Sequence, residues 1–199
     1  MSADTKRAAS PVTAAASRLS NALAHLFGYL MLVFAVIVTV ETISRKLLGF
    51  SLQGVDELGG YALAVTSALA FTTALVERAH IRIDLLHMQF PRPLQALLNW
   101  LSVLLIAAFA LLLMKVATDV LAETIEFNST APTPWATPLI WPQSFWYAAL
   151  AIFALVSIVL AAHATYAFAT QRWGELARLY GPKLADEEVK EELEDLSRR

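Results

Sequence analysis

The chain contains no cysteine among its 199 residues, which excludes disulfide bonds, thiolate metal sites and cysteine nucleophiles. Charge is also sparse: Asp, Glu, Lys and Arg make up 16% of the residues, whereas hydrophobic residues make up 57%. Four long stretches lack these charged residues altogether, namely residues 22–40, 58–76, 94–114 and 144–170. Soluble domains rarely concentrate apolar residues into uncharged blocks of this kind.

Each uncharged stretch is long enough to cross a bilayer, because a helix rises about 1.5 Å per residue and the hydrocarbon core is about 30 Å thick. Backbone polar groups find no water in lipid, and a barrel would show short alternating segments, so the spans must be helices. The sequence therefore predicts an all-α membrane protein with four transmembrane helices over residues 22–170. We expect a mobile leader over residues 1–21, whose last few residues could begin the first helix, and a charged cytoplasmic tail over residues 171–199.

Lysine and arginine predict the orientation of the spans. Three lie in the N-terminal segment, three in the second loop and six in the tail, whereas the opposite side receives only Arg45, Lys46 and Lys115. Since cytoplasmic segments carry the positive excess, we expect both termini in the cytoplasm. Gly49 and Gly54 predict a turn between the first two spans.

Two connecting segments differ in character. Between spans two and three, Ile81, Leu85 and Met88 suit one helical face, although alternation at Ile81, Ile83 and Leu85 suits an extended segment. We favour a short interfacial helix capped by Asp84, because membrane spans flank it on both sides. Residues 127–144 contain four prolines, which exclude a continuous helix and predict an external loop.

Small residues recur every four positions in the second span, at Gly60, Ala64, Ala68 and Thr72. This small-xxx-small spacing allows two membrane helices to approach closely and to gain packing contacts that lipid does not supply. Alanine is common throughout the chain, so the pattern also has a purely compositional explanation. We interpret it as a face for intimate helix contact.

Histidines offer two cofactor hypotheses, neither of which we favour. On a continuous helix, His80, Asp84 and His87 would share one face and could bind zinc, but no second ligand-bearing helix is evident. A bis-histidine haem would need His25 and His163 to face each other at similar depth inside the bundle. We therefore expect no metal, no cofactor and no catalytic residue.

The spans lack the groups that a solute pathway requires. Ions and organic acids need polar groups or interrupted helices at the membrane midplane, yet no span contains an acidic or basic residue or a midplane Gly or Pro. Phosphate loops, nucleophile elbows and H-E-x-x-H zinc motifs are absent, so the chain is not predicted to be an enzyme. The sequence therefore favours a structural subunit over a protein that itself forms the solute pathway.

Two short motifs flank the second span. The segment SRKLLGFSLQGVDELGGYALA leads into the span, and the segment RAHIRIDLL, with two prolines after it, follows the span. Together with the third span and the proline-rich loop, they resemble the small membrane (Q-type) subunit of tripartite ATP-independent periplasmic (TRAP) transporters. By this resemblance Glu57, His80, Arg82 and Asp84 are family-pattern positions with a role in loop structure or subunit contact. Gly60, Ala64 and Ala68 would then pack internally or against the large subunit.

The resemblance implies a scaffold subunit in the bacterial inner membrane. Its partners would be a large multi-span subunit that holds the substrate and sodium sites, a periplasmic binding protein that delivers organic acids, and membrane lipid, but no nucleic acid. Two alternatives stay open from the residues alone. The chain could be a haem- or quinone-linked anchor of an oxidoreductase, or a free-standing oligomeric carrier.

Overall fold

The regular secondary structure of the residues that the structure describes is entirely helical, with one isolated antiparallel bridge between Thr130 and Pro138 and no strand. The computed structural model describes residues 11–51, 53–78 and 90–181, together with Leu193 and Leu196. Within them, four helices are long and apolar enough to cross a membrane: α1 (Pro11–Ile43), α2 (Val55–Val76), α3 (Arg92–Phe127) and α4 (Ile140–Ala169). A short helix, α5 (Trp173–Tyr180), follows. The predicted all-α architecture with four spans is confirmed.

Helix α1 is longer than the first predicted span. It begins at Pro11, so residues 11–21, which we assigned to the leader, are helical. Proline suits the first helical position because its missing N–H has no partner there in any case. Towards its other end, α1 passes into a π-helical turn, Ser44–Leu48. Gly49 (φ +64°) and Gly54 (φ +84°) then adopt left-handed conformations, which confirms the predicted turn.

Helices α3 and α4 also extend beyond the predicted spans. Helix α3 continues past Met114 to Phe127, and its added turns carry an exposed ion pair between Lys115 and Asp119 at 2.7 Å. Helix α4 begins at Ile140, inside the segment that we predicted as a loop. Pro142 falls in the first turn of α4, where a missing N–H donor costs no helical hydrogen bond.

The helices alternate in direction, which gives the bundle two distinct ends. The connections 49–54 and 128–139 lie at one end, called here the loop end. Helix α5 and residues 77–78 lie at the other, called the tail end. Helix α2 packs between α1 and α4, while α4 packs on α2, α3 and α5. At the tail end, the rings of Trp100 and Phe168 stack at 4.8 Å and join α3 to α4.

Burial differs strongly between the helices. In the most apolar part of each span, 44% of the residues of α4 are buried, but only 6% of those of α1. The core therefore lies around α4, where Phe153, Leu160 and Ala164 are buried. Helix α1 lies at the edge of the bundle with most of its apolar surface uncovered.

Candidate functional site

Glu57 joins the 128–139 connection to the start of α2 at the loop end. Its side chain is 7% exposed, in the first turn of α2, where the helix dipole favours an acidic residue. The carboxylate accepts a hydrogen bond from the Tyr61 hydroxyl at 2.8 Å, one turn later in the same helix, and another from the Thr133 hydroxyl. Glu57 therefore fastens the 128–139 connection to the start of α2.

The 128–139 connection is itself ordered by short-range hydrogen bonds. The Ala131 amide donates to the Thr137 carbonyl at 2.9 Å, and the Leu139 amide donates to the Ser129 carbonyl at 3.0 Å. The Trp135 ring lies against Gly54, where a Cβ atom would come within 2.5 Å of the indole. Only glycine permits this contact, so Gly54 supplies both the turn and the surface on which Trp135 packs.

The predicted small-residue face does not stay on one side of α2. Gly60 and Ala64 are exposed, whereas Ala68 is 1% exposed and Thr72 is fully buried. The reason is geometric: four residues of an α-helix turn through about 400°, so a strict four-residue spacing drifts by about 40° at each step. Gly60 and Ala64 therefore belong to an uncovered face, and Ala68 belongs to the core.

Helix α2 approaches α1 closely at Gly59, a position that the sequence pattern does not single out. A Cβ atom on Gly59 would lie 2.8 Å from Cζ of Phe34, whereas one on Gly60 would meet nothing within 4 Å. The adjacent pair Gly59 and Gly60 was the feature of the sequence that could have indicated this close helix contact. Which of them faces α1 depends on the rotation of α2 about its own axis.

Three predicted positions, His80, Arg82 and Asp84, lie outside the described residues, as does the predicted interfacial helix. The metal hypothesis on His80, Asp84 and His87 lies there too. Among the described residues, no three His, Asp or Glu side chains converge on a metal-sized site.

At the tail end, α5 is held by a polar cluster on its buried face. Leu176 is fully buried and Tyr180 is 6% exposed, one turn apart. The Tyr180 hydroxyl lies 2.9 Å from Nδ1 of His163 in α4 and donates to the Leu160 carbonyl at 3.3 Å. Glu175 lies 3.8 Å from Nε2 of the same histidine. Burial raises the pKa of the Tyr180 phenol, and the charge of Glu175 raises it further.

Arg78 binds the C-terminal end of α5. Its guanidinium, just beyond the end of α2, donates to the carbonyl of Arg178 at 2.9 Å and to that of Gly181 at 3.4 Å. A cation at the last carbonyls of a helix satisfies unpaired acceptors and complements the negative end of the dipole. The beginning of the charged tail is thus part of the packed domain.

Buried charge within the described residues is confined to the loop end. Glu41 and Glu57 are the buried charged side chains there, and each lies within a turn of the end of its helix. Deeper in the bundle the buried polar residues are neutral, as at Thr72, Asn99 and Ser157. Away from the loop end, the described interior is therefore suited to packing, since it offers no buried charged group around which an ionic solute could shed its water.

Comparison with known protein families indicates a component of a membrane transporter. A family model described as tripartite ATP-independent periplasmic transporters, DctQ component, matches residues 34–166. The matched part includes all of α2 and α3 and most of α4. No curated protein and no solved structure matches the chain.

Proposed function

Because the chain belongs to the DctQ component family and is the small membrane subunit of a TRAP transporter, we propose that it is a static scaffold beside the large membrane subunit. Members of this family are transporter components and not enzymes. The complete transporter is proposed to import organic acids that a periplasmic binding protein delivers, with a sodium gradient as the driving force.

The neutral interior of the bundle is the observation that carries the scaffold role. Sodium and carboxylates need charged or strongly polar groups, or interrupted helices, to replace their hydration within the membrane. The buried charges of the described bundle, Glu41 and Glu57, lie at its loop end, and Glu57 already accepts two hydrogen bonds. Solute and sodium sites are therefore assigned to the large subunit.

The uncovered helix surfaces support a partner in the membrane. Helix α1 buries little of its apolar surface, and the α2 face that includes Gly60 and Ala64 is also exposed. Small residues on such a face permit close approach of another membrane helix. We assign Gly60 and Ala64 to contact with the large subunit, and Glu57 to the support of the loop end.

The arrangement in the cell follows from the charge distribution. The chain is a multi-pass membrane protein, and we place it in the inner membrane with both termini in the cytoplasm. The loop end would then face the periplasm, where the 128–139 connection can meet the binding protein.

Reconstitution tests the scaffold role. The tagged chain is co-expressed with the large multi-span subunit and the periplasmic binding protein that are proposed as its partners and are sought in the neighbouring reading frames. The binding protein is screened against a panel of carboxylates to identify the solute. We expect the large protein to co-purify with the tagged chain, and sodium-driven uptake to need all three proteins. The chain alone in liposomes should leave the solute gradient intact. Flux through the lone chain would contradict the proposal, and a Soret band would favour the oxidoreductase anchor.

A further inference from the structure

A cavity of about 370 Å³ opens at the loop end between α1 and α2, apart from the Glu57 hydrogen bonds and the exposed α2 face. The last turns of α1, the π-helical turn, the 49–54 connection and the first turns of α2 form its walls. Small-molecule sites in proteins commonly enclose about 300–1,000 Å³. The cavity is therefore large enough for a small ligand or for the head group of a larger one.

The lining of the cavity changes from polar to apolar along α1. Arg45, Ser51 and Asp56 line its outer part, and Phe34 and Val38 line its inner part. At about 1.5 Å per residue, the wall from Phe34 to Arg45 extends about 16 Å, which is about half the thickness of the hydrocarbon core. The cavity thus has the polarity gradient of one bilayer leaflet.

Opposite charges face this cavity without neutralising each other. Arg45 and Asp56 are both exposed, and within the described part of the chain neither forms an ion pair. A second carboxylate, Glu41, is 7% exposed in the same lining and accepts a hydrogen bond from the Ser51 hydroxyl at 2.7 Å. The complement of one cation and two carboxylates is a ligand that carries both an anionic group and an ammonium group.

The surroundings indicate where such a ligand comes from. Val38, which lines the cavity, is itself 37% exposed, and large apolar side chains on the other faces of α1 are uncovered as well, among them Val36, Val40 and Leu47. In a membrane this surface is in contact with acyl chains, so an amphiphile can enter from the side with its tails already in lipid. A free zwitterion would gain only the polar contacts.

We propose that the cavity lined by Arg45, Asp56 and Glu41 binds a phospholipid with a zwitterionic, primary-ammonium head group, of the phosphatidylethanolamine class. The phosphate pairs with the Arg45 guanidinium, and the ammonium donates hydrogen bonds to the carboxylates of Asp56 and Glu41. One acyl chain lies along Val38 and Phe34. Phosphatidylcholine lacks N–H donors and phosphatidylglycerol lacks the ammonium, so both fit less well.

Lipid selectivity tests the proposal on the unaltered full chain. The purified chain is delipidated and then supplied with phosphatidylethanolamine, phosphatidylcholine or phosphatidylglycerol of identical acyl chains, or with soluble phosphoethanolamine. Retention is measured by native mass spectrometry, and stabilisation by the thermal unfolding midpoint. We expect phosphatidylethanolamine to be retained best and to raise the midpoint most. Equal retention of the three lipids would overturn the proposal. Equal stabilisation by soluble phosphoethanolamine would overturn its lipid assignment.

Charge removal locates the site. We expect Arg45→Gln and Asp56→Asn each to reduce retention of phosphatidylethanolamine about tenfold, in keeping with the loss of a charge-assisted hydrogen bond. The matched controls Lys115→Gln and Glu123→Gln remove exposed charges from α3, outside the cavity, and should retain the lipid as the unaltered chain does. Unchanged retention in both cavity variants would overturn the proposal. The lipid comparison on the unaltered chain remains decisive if a variant fails to fold.

Discussion

The Glu57 carboxylate, in the first turn of α2, accepts a hydrogen bond from the Thr133 hydroxyl, which lies 76 positions later in the chain. Through this contact the 128–139 connection is fixed to a helix that is not its neighbour in sequence. The packing of Trp135 on Gly54 joins the same two segments a second time. The loop end is therefore a surface of defined shape, which the proposed docking of a binding protein would require.

Replacing the acid tests this attachment. We expect Glu57→Gln to preserve the helix content but to loosen residues 128–139, because the amide has the same size without the charge that strengthens the hydrogen bonds. Hydrogen exchange at the Ala131 and Leu139 amides should accelerate severalfold. The matched control, Glu123→Gln, removes an exposed carboxylate from α3 and should leave both exchange rates unchanged. Unaltered exchange in Glu57→Gln would contradict this role.

The contact between α1 and α2 gives a second prediction. We expect Gly59→Leu to destabilise the isolated chain by about 1–3 kcal/mol, because the side chain would overlap the Phe34 ring. Adding Phe34→Ala should restore part of that loss by making room. The same substitution at the next position, Gly60→Leu, should cost little, since a Cβ atom there meets nothing within 4 Å. Denaturant titration of the four proteins measures these differences, and equal losses at the two glycines would contradict the packing.

The spans could be predicted from the sequence because the bilayer imposes both a length and an absence of charge on each of them. The positions of the helix ends were predicted less accurately. Helix α1 extends back to Pro11 and α4 begins at Ile140, since helical conformation continues beyond the hydrocarbon wherever local sequence permits. The apolar composition of a span shows where the chain leaves the lipid, but it does not show where the helix ends.

Contacts that depend on tertiary packing were beyond sequence analysis. A helix as short as α5 is marginal by itself, and it is stabilised by the burial of Leu176 and by the bonds that Arg78 donates to its last carbonyls. The choice between Gly59 and Gly60 likewise depends on a rotation of about 100° between successive residues. Glu57 was selected from the sequence, but its partner Thr133 was not, because nothing in the loop composition specifies which hydroxyl approaches it.

The Tyr180 phenol gives a prediction about pH. Burial and the Glu175 charge raise its pKa above the ordinary value of 10.0. A folded-state pKa above the unfolded one means that the neutral phenol stabilises the fold fully below about pH 10, and that this stabilisation is lost as pH rises through the higher folded-state pKa. We expect Tyr180→Phe to lower stability by about 1 kcal/mol at neutral pH, through its lost hydrogen bonds.

The difference between the unaltered chain and Tyr180→Phe should therefore be constant up to about pH 9 and should shrink above about pH 10. Thermal unfolding midpoints across this range measure it, and near-ultraviolet phenolate absorbance reports when the buried tyrosine ionises. The matched control is Tyr29→Phe, which removes a hydroxyl from an exposed position on α1. A difference that grows with rising alkalinity would show that the phenol is not held neutral by its surroundings.

The exposed α2 face predicts how the chain assembles. We expect Gly60→Leu and Ala64→Leu to leave the isolated chain as stable as before, because both positions are uncovered, and to reduce co-purification of the large subunit by blocking close helix approach. Ala68→Leu should differ: that side chain is 1% exposed, so leucine should cost about 1–3 kcal/mol in the chain alone. An exposed alanine of α3 provides the control, Ala108→Leu, for which we expect neither effect. If the large subunit is captured equally well by Gly60→Leu and Ala64→Leu, this face of α2 contacts lipid and the subunit contact lies elsewhere.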